Sequence, residues 1–130
     1  MDTNLPMFDV DAAENGRWCE FANGVSFKIA MDGNEKHIRF AQEYSDKVSK
    51  AYDAEKYDEV TRLNALGIST AILRGWKGLV SSNGVDIEYT EDNAVELLSD
   101  KRYKKALKFI EAQSKDDDAY DVHEEATVKK

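Results

Sequence analysis

The side chains that most often bind metals or act as nucleophiles and bases are scarce in this 130-residue chain. It has two histidines, His37 and His123, and one cysteine, Cys19, all far apart in sequence. A zinc site needs several thiolate or imidazole ligands, and an activated nucleophile needs a neighbouring base. The sequence therefore predicts no metal site and no catalytic residue, and we do not expect an enzyme.

Two short segments carry a partial likeness to ligand-binding loops. The acidic run Asp116–Asp118, with Asp121, lacks the glycine turn and the distal glutamate of a calcium loop. The run Gly75–Gly78 has glycines and a lysine, but no hydroxyl at the place expected in a phosphate-binding loop and no predicted strand before it. Neither segment is typical of its motif, so no cofactor is expected.

The charge of the chain argues against two classes of partner. With 26 acidic and 18 basic residues the net charge is −8, which repels phosphate backbones and anionic lipids. Lysines and arginines alternate with acids almost everywhere, as in Asp100-Lys101-Arg102. We therefore expect neither nucleic-acid binding nor membrane binding. A lone cysteine, no export signal at Met1–Asn4 and no long apolar run indicate a soluble cytoplasmic protein.

Hydrophobic spacing predicts an α+β fold that is mainly α-helical, with an N-terminal β-hairpin packed on a bundle of about four helices. Val25, Phe27 and Ile29 alternate with polar residues, which is typical of a strand with one buried face. The hairpin is predicted over about residues 17–30. Apolar residues at three- and four-residue steps predict the helices, over about 34–52, 54–79, 91–99 and 101–114.

One domain is predicted over residues 1–114, followed by a mobile acidic tail over 115–130. The first sixteen residues hold the only proline and end in the turn pair Asn15-Gly16, which indicates an irregular lead-in. From Lys115 onward, acids and lysines dominate and large apolar groups are few. Such a segment does not bury enough apolar surface to fold by itself.

Small residues recur at four-residue steps in the predicted helix over about 54–79. Gly67, Ala71 and Gly75 would share one side of that helix, where another backbone could approach closely. A glycine inside a helix costs about 1 kcal/mol relative to alanine, so these positions need a reason. The stripe is either a partner-binding groove, or a place of close internal packing or a helix end near Gly75.

Large amphipathic side chains gather on both sides of the turn at Asn83-Gly84. Trp76 and Ile87 are of a kind that anchors interfaces, yet they would equally close the core between the long helix and the C-terminal helices. Both interpretations stay open at this point. The candidate protein-binding residues are therefore Gly67, Ala71, Gly75, Trp76, Leu79, Ile87 and Tyr89.

The order of residues over about 8–114 resembles a known family. The shared pattern is Trp18-x-Glu20-x(3)-Gly24-x-x-Phe27-Lys28-Ile29-Ala30, then Leu73-x-Gly75-Trp76-x-Gly78-Leu79, then Asn83-Gly84-x-x-Ile87-x-Tyr89-Thr90-x-x-Asn93-Ala94-x-x-Leu97-Leu98, then Phe109-Ile110. It resembles the tail assembly chaperones of long-tailed bacteriophages. The tract from Leu73 to Leu98 is the most specific part.

This resemblance implies a binding protein of the host cytoplasm. Members of that family are not enzymes: they coat the tape measure protein, recruit tail tube subunits and are absent from the mature virion. The family typically makes a second, longer product by ribosomal frameshifting near the end of the gene. A homo-oligomer is compatible with the resemblance, which assigns no binding residue.

Two other functions remain as alternatives. A phage-encoded acidic inhibitor that imitates nucleic acid would block a host enzyme, and it would present its acids as one continuous face. A structural connector would be found in purified virions. An apolar groove would instead favour the chaperone.

Overall fold

The computed structural model describes residues 1–122, and these form an α+β fold that is mainly helical, as predicted. The helices are α1 (Val10–Asn15), α2 (Glu35–Asp53), α3 (Tyr57–Gly67), α4 (Glu91–Ser99) and α5 (Lys104–Ser114). The strands are β1 (Arg17–Ala22), β2 (Val25–Ile29) and β3 (Leu73–Lys77). A π-helical segment (Ile68–Ile72) joins α3 to β3, and 3-10 turns cover Lys101–Tyr103 and Asp117–Tyr120.

The predicted hairpin is confirmed and forms two strands of a three-stranded antiparallel sheet, in the order β1-β2-β3. Its turn uses Asn23 and Gly24, which both have positive φ, as tight hairpin turns require. The register places Phe27 between Cys19 on β1 and Trp76 on β3. These three side chains are buried and form the centre of the sheet's inner face.

The core lies between this inner face and the C-terminal helices. The ring of Phe109 on α5 lies 4.8 Å from that of Phe21 and 6.5 Å from that of Phe27, measured between ring centroids. Leu98 on α4 and Ile110 on α5 are buried in the same cluster. Burying a large apolar side chain contributes roughly 1.5–3 kcal/mol, so this cluster dominates the stability of the fold.

The predicted helix over about 54–79 is wrong beyond residue 72. α3 ends at Gly67, the π-helical segment follows, and residues 73–77 leave the helix to pair with β2. The unpaired edge of β2 offers backbone hydrogen bonds, and a third strand also buries Leu73 and Trp76. These tertiary contacts outweigh the local helical spacing.

The predicted irregular lead-in is wrong over residues 10–15, where α1 forms. The Asp9 side chain accepts a hydrogen bond from the Ala12 amide at 3.1 Å, as an N-cap residue does. The Met31 amide donates to the Ala13 carbonyl at 2.8 Å, which attaches α1 to the chain that follows β2. Capping and this attachment explain how a six-residue helix is held.

The predicted mobile tail is wrong over residues 115–122. Tyr120 is fully buried, and its hydroxyl donates to the Ile29 carbonyl at 2.9 Å. The Asp9 amide donates to the Tyr120 carbonyl, and the Val122 amide donates to the Met7 carbonyl at 2.8 Å. One buried aromatic ring thus outweighs the polar composition of the segment. The rest of the predicted tail, residues 123–130 with His123, lies outside the described residues.

Burial raises the pKa of Tyr120 to about 12, and Arg17 opposes this increase. Because the folded pKa lies above the unfolded value, the stability contributed by the neutral phenol is lost as pH rises from about 10 through about 12. Tyr120→Phe should cost about 1 kcal/mol at neutral pH, through the lost hydrogen bond, and should lose less stability at high pH than the wild type. Urea unfolding at about pH 7 and about pH 11 measures both effects.

The exposed Tyr52 provides the control, because Tyr52→Phe should change neither value. Burial raises the pKa of Tyr89 as well, so Tyr120→Phe should still lose some stability at high pH, but less than the wild type. An equal alkaline loss in Tyr120→Phe and in the wild type would contradict the role given to Tyr120.

Alanine substitutions at Gly78 and Gly84 distinguish the cost of a steric clash from the cost of a strained backbone. Both have positive φ, but a Cβ on Gly78 would lie 2.1 Å from the Gly24 carbonyl oxygen, whereas a Cβ on Gly84 meets nothing within 4 Å. Gly84→Ala should therefore cost about 1 kcal/mol from the left-handed backbone alone. Gly78→Ala should cost about 3 kcal/mol or fail to fold, because the hairpin turn must move away. Equal losses in urea unfolding would show that the contact between the two turns is unimportant.

Candidate protein-binding site

The three small residues predicted to line a groove do not share one surface. Gly67 is buried in α3, where an added Cβ would lie 2.7 Å from Cε1 of Phe40 on α2. Ala71 is buried in the π-helical segment. Gly75 is buried in β3, where an added Cβ would lie 3.7 Å from Cη2 of Trp18. The alternative of close internal packing is therefore the one that the structure supports at these positions.

Trp76 and Tyr89 hold the loop over residues 78–90 against the sheet. The indole Nε1 of Trp76 donates to the Ile87 carbonyl at 2.8 Å, and the hydroxyl of Tyr89 donates to the Leu73 carbonyl at 3.0 Å. The two rings pack edge to face, with centroids 5.1 Å apart. Burial raises the pKa of Tyr89, which keeps the phenol protonated as a donor. Both residues are thus mainly structural.

The same loop nevertheless borders an open cavity, here called the apolar groove. Its volume is about 250 Å³, and it lies between the loop, α4 and the 3-10 turn before α5. Three predicted residues line it, namely Trp76, Leu79 and Ile87. Leu97 and Tyr103 add apolar surface, and polar groups come from Asn93, Glu96, Asp100 and Arg102.

The polar rim of the groove contains one well-formed ion pair. Arg102 donates through Nη2 to Asp100 Oδ2 at 2.7 Å and through Nε to both carboxylate oxygens at 3.1 and 3.2 Å. These hydrogen bonds hold the pKa of Asp100 below its ordinary value. The guanidinium carbon of Arg102 also lies 5.4 Å from the Tyr103 ring centroid. The pair fixes the turn that presents Tyr103 to solvent.

Two lining residues were missed as candidates from the sequence. Leu97 falls within the predicted helix over about 91–99 and within the family-like pattern, but neither observation suggests a binding role for it. Tyr103 falls within the predicted helix over about 101–114, yet it lies in the 3-10 turn before α5, is 43% exposed and borders the groove. The sequence gives no clear signal for Tyr103, because Phe109 lies in the same basic segment and packs against the core.

The cysteine and the histidine of the described residues lie away from the apolar groove. Cys19 lies in the core, where burial raises the pKa of the thiol. His37 lies on α2, and its Nδ1 accepts a hydrogen bond from the Gly33 amide at 2.9 Å. Within residues 1–122 no three potential metal ligands come together, and no helix is long and apolar enough to cross a bilayer. An apolar floor with a polar rim suits the side chains of another polypeptide.

Comparison with known protein families finds a match to the YdaY prophage protein family over residues 22–130. This range covers β2, β3, α2 to α5 and the whole of the apolar groove. No curated protein and no solved structure matches the chain. The chain belongs to the YdaY prophage protein family.

Proposed function

We propose that this prophage protein is a tail assembly chaperone, which binds the tape measure protein and helps to recruit tail tube subunits. Membership of a prophage protein family places the chain in a phage context. The sequence resemblance over residues 8–114 supplies the chaperone role. The apolar groove is the observation that carries the proposal, because it provides a surface for another polypeptide.

The lining of the groove fits the apolar side of a helix. Its volume of about 250 Å³ accepts one or two large aliphatic side chains. Leu79 and Ile87 are only partly buried, and Tyr103 is exposed, so these groups remain available to a partner. Amphipathic helices bind such grooves through apolar residues spaced three or four apart.

The charge of the body suits a protein that covers aggregation-prone chains. A net charge of −8 keeps two copies of the loaded protein apart. The exposed apolar surface of the partner would be covered by the groove, while the acidic surface stays in water. This role needs neither a metal nor a catalytic group, and it would act in the host cytoplasm before the virion is complete.

The acidic inhibitor receives less support from the distribution of charge. Three of the six acids on α2 and α3 pair with basic residues of the same helix, in the pairs Arg39–Glu35, Lys50–Asp46 and Arg62–Glu59. Pairing of this kind neutralises the acids locally. A mimic of nucleic acid needs a continuous row of unpaired negative charge instead.

Co-expression with the tape measure protein of the same phage tests the proposal. The wild-type protein should keep the tape measure protein soluble and co-purify with it. Tyr103→Ala removes an exposed aromatic ring from the groove and should weaken that binding about tenfold or more. The fold should be unaffected, because surface substitutions usually change stability by less than about 0.5 kcal/mol.

Tyr52→Ala is the matched control, since Tyr52 is an exposed tyrosine on α2 that does not line the groove. It should bind as the wild type does. No gain in tape measure solubility with the wild-type protein would overturn the proposed function. Equal binding by both tyrosine variants would show that the contact lies elsewhere on the molecule.

A further inference from the structure

One segment of this acidic chain carries only positive charge. Residues 101–110 contain five of the eighteen basic residues and none of the 26 acids. The segment covers the 3-10 turn before α5 and most of α5 itself. The alternation of acidic and basic residues that was expected along the sequence is therefore absent from this segment.

Three of these lysines surround a second cavity, here called the lysine pocket. It has a volume of about 390 Å³ and lies between α3, the end of α4 and the first half of α5. The half-buried Leu107 provides apolar surface beside the buried Leu98, and Lys101, Lys104 and Lys108 also line the pocket. The pocket thus combines an apolar interior with a basic rim.

Only one of the three lysines that line the pocket forms an ion pair among residues 1–122. Lys101 forms an exposed ion pair with Asp58 at 3.3 Å. Among residues 1–122, no carboxylate lies within ion-pair distance of Lys104 or Lys108, although two carboxylates, Asp100 and Glu111, also line the pocket. The side-chain hydroxyl of Ser99, also in the lining, is buried and has no hydrogen-bond partner in the fold.

The position of the lysines is unfavourable for the helix that carries them. α5 begins at Lys104-Lys105 with no acid in its first turn and no side-chain cap, whereas α1 to α4 each have an acid there. Positive charge near a helix N-terminus costs about 0.3–1 kcal/mol. Asp100 caps the preceding 3-10 turn through the Arg102 amide, but no acid follows before Glu111, so a bound acidic group would offset the cost of this charge.

We propose that the lysine pocket binds an acidic amphipathic segment of the partner polypeptide. Apolar side chains of that segment would contact Leu107, and its carboxylates would reach Lys104 and Lys108. The inference rests on the proposed function and specifies the chemistry of the partner. Asp100 borders both cavities, so the lysine pocket and the apolar groove lie on either side of the turn at 99–103.

A polypeptide explains the lysine pocket better than a phosphate backbone does. The net charge of −8 repels a polyanion at long range, whereas a short acidic segment carries less charge and also fills the apolar interior. A nucleic acid presents few apolar groups to Leu107. Tighter binding of an oligonucleotide than of an acidic peptide at this place is accordingly an outcome that would refute the proposal.

The test uses the full chain and three probes of defined composition. The first is a helical peptide of about 20 residues with leucine at three- and four-residue steps, about four glutamates, and alanine and glutamine elsewhere; the second replaces each glutamate with lysine. The third is a single-stranded oligonucleotide. Amide chemical shifts recorded by NMR during each titration report both the affinity and the residues contacted.

The acidic peptide should bind saturably and shift amides of residues 99–108, and the lysine peptide should not. Binding should weaken about tenfold between about 50 and about 300 mM NaCl, because exposed charge pairs are screened. The double variant Lys104→Glu/Lys108→Glu should weaken it at least as much. The control Lys47→Glu/Lys50→Glu makes the same charge change on α2 and should bind as the wild type does.

Absence of acidic-peptide binding, equal binding of the lysine peptide, or tighter binding of the oligonucleotide at this place would overturn the proposal. Co-purification of the tape measure protein with Lys104→Glu/Lys108→Glu separates the two proposals. If it persists undiminished, the chaperone function stands and the lysine pocket has no part in it. If the acidic peptide binds but the wild-type protein does not retain the tape measure protein, the pocket is real and the proposed partner is wrong.

Discussion

Residues 73–77 pair with the edge of β2, and both the core and the candidate site depend on this pairing. It places Trp76 beside Phe27 inside the sheet and lets the indole hold the Ile87 carbonyl. The loop over residues 78–90 is fixed by that hydrogen bond and by the one from Tyr89 to Leu73. Without β3, the loop would not be held against the sheet, and the apolar groove would not form.

Hydrophobic periodicity predicted the helices and strands correctly where local sequence preference and tertiary contacts favour the same structure. Asn34 and Thr90 are of residue types that favour N-caps, and their side chains accept hydrogen bonds from the His37 and Asn93 amides at 3.1 and 3.0 Å. The helical spacing up to Ile72 also continued into residues 73–77, where an open strand edge decided the outcome instead. Such an edge depends on distant parts of the chain, so a local pattern does not reveal it.

The candidate site was predicted only where its residues lie close together in the sequence. Trp76, Leu79 and Ile87 are brought together as expected, because they flank one short loop. The stripe of Gly67, Ala71 and Gly75 assumed a continuous helix and is buried instead. The basic segment at 101–110 was visible in the sequence, but its meaning depends on the pocket that α3, α4 and α5 form together. Composition over the whole chain concealed this local reversal of charge.

The central claim is that the face around residues 79–108 binds another polypeptide. Hydrogen–deuterium exchange of the full chain, alone and in complex with the tape measure protein, tests it most directly. Protection should increase at residues 79–87 and 97–108, because a bound segment excludes water from both cavities, and should stay unchanged on the exposed side of α2. Increased protection confined to α2, with residues 79–108 exchanging as in the free protein, would contradict the account.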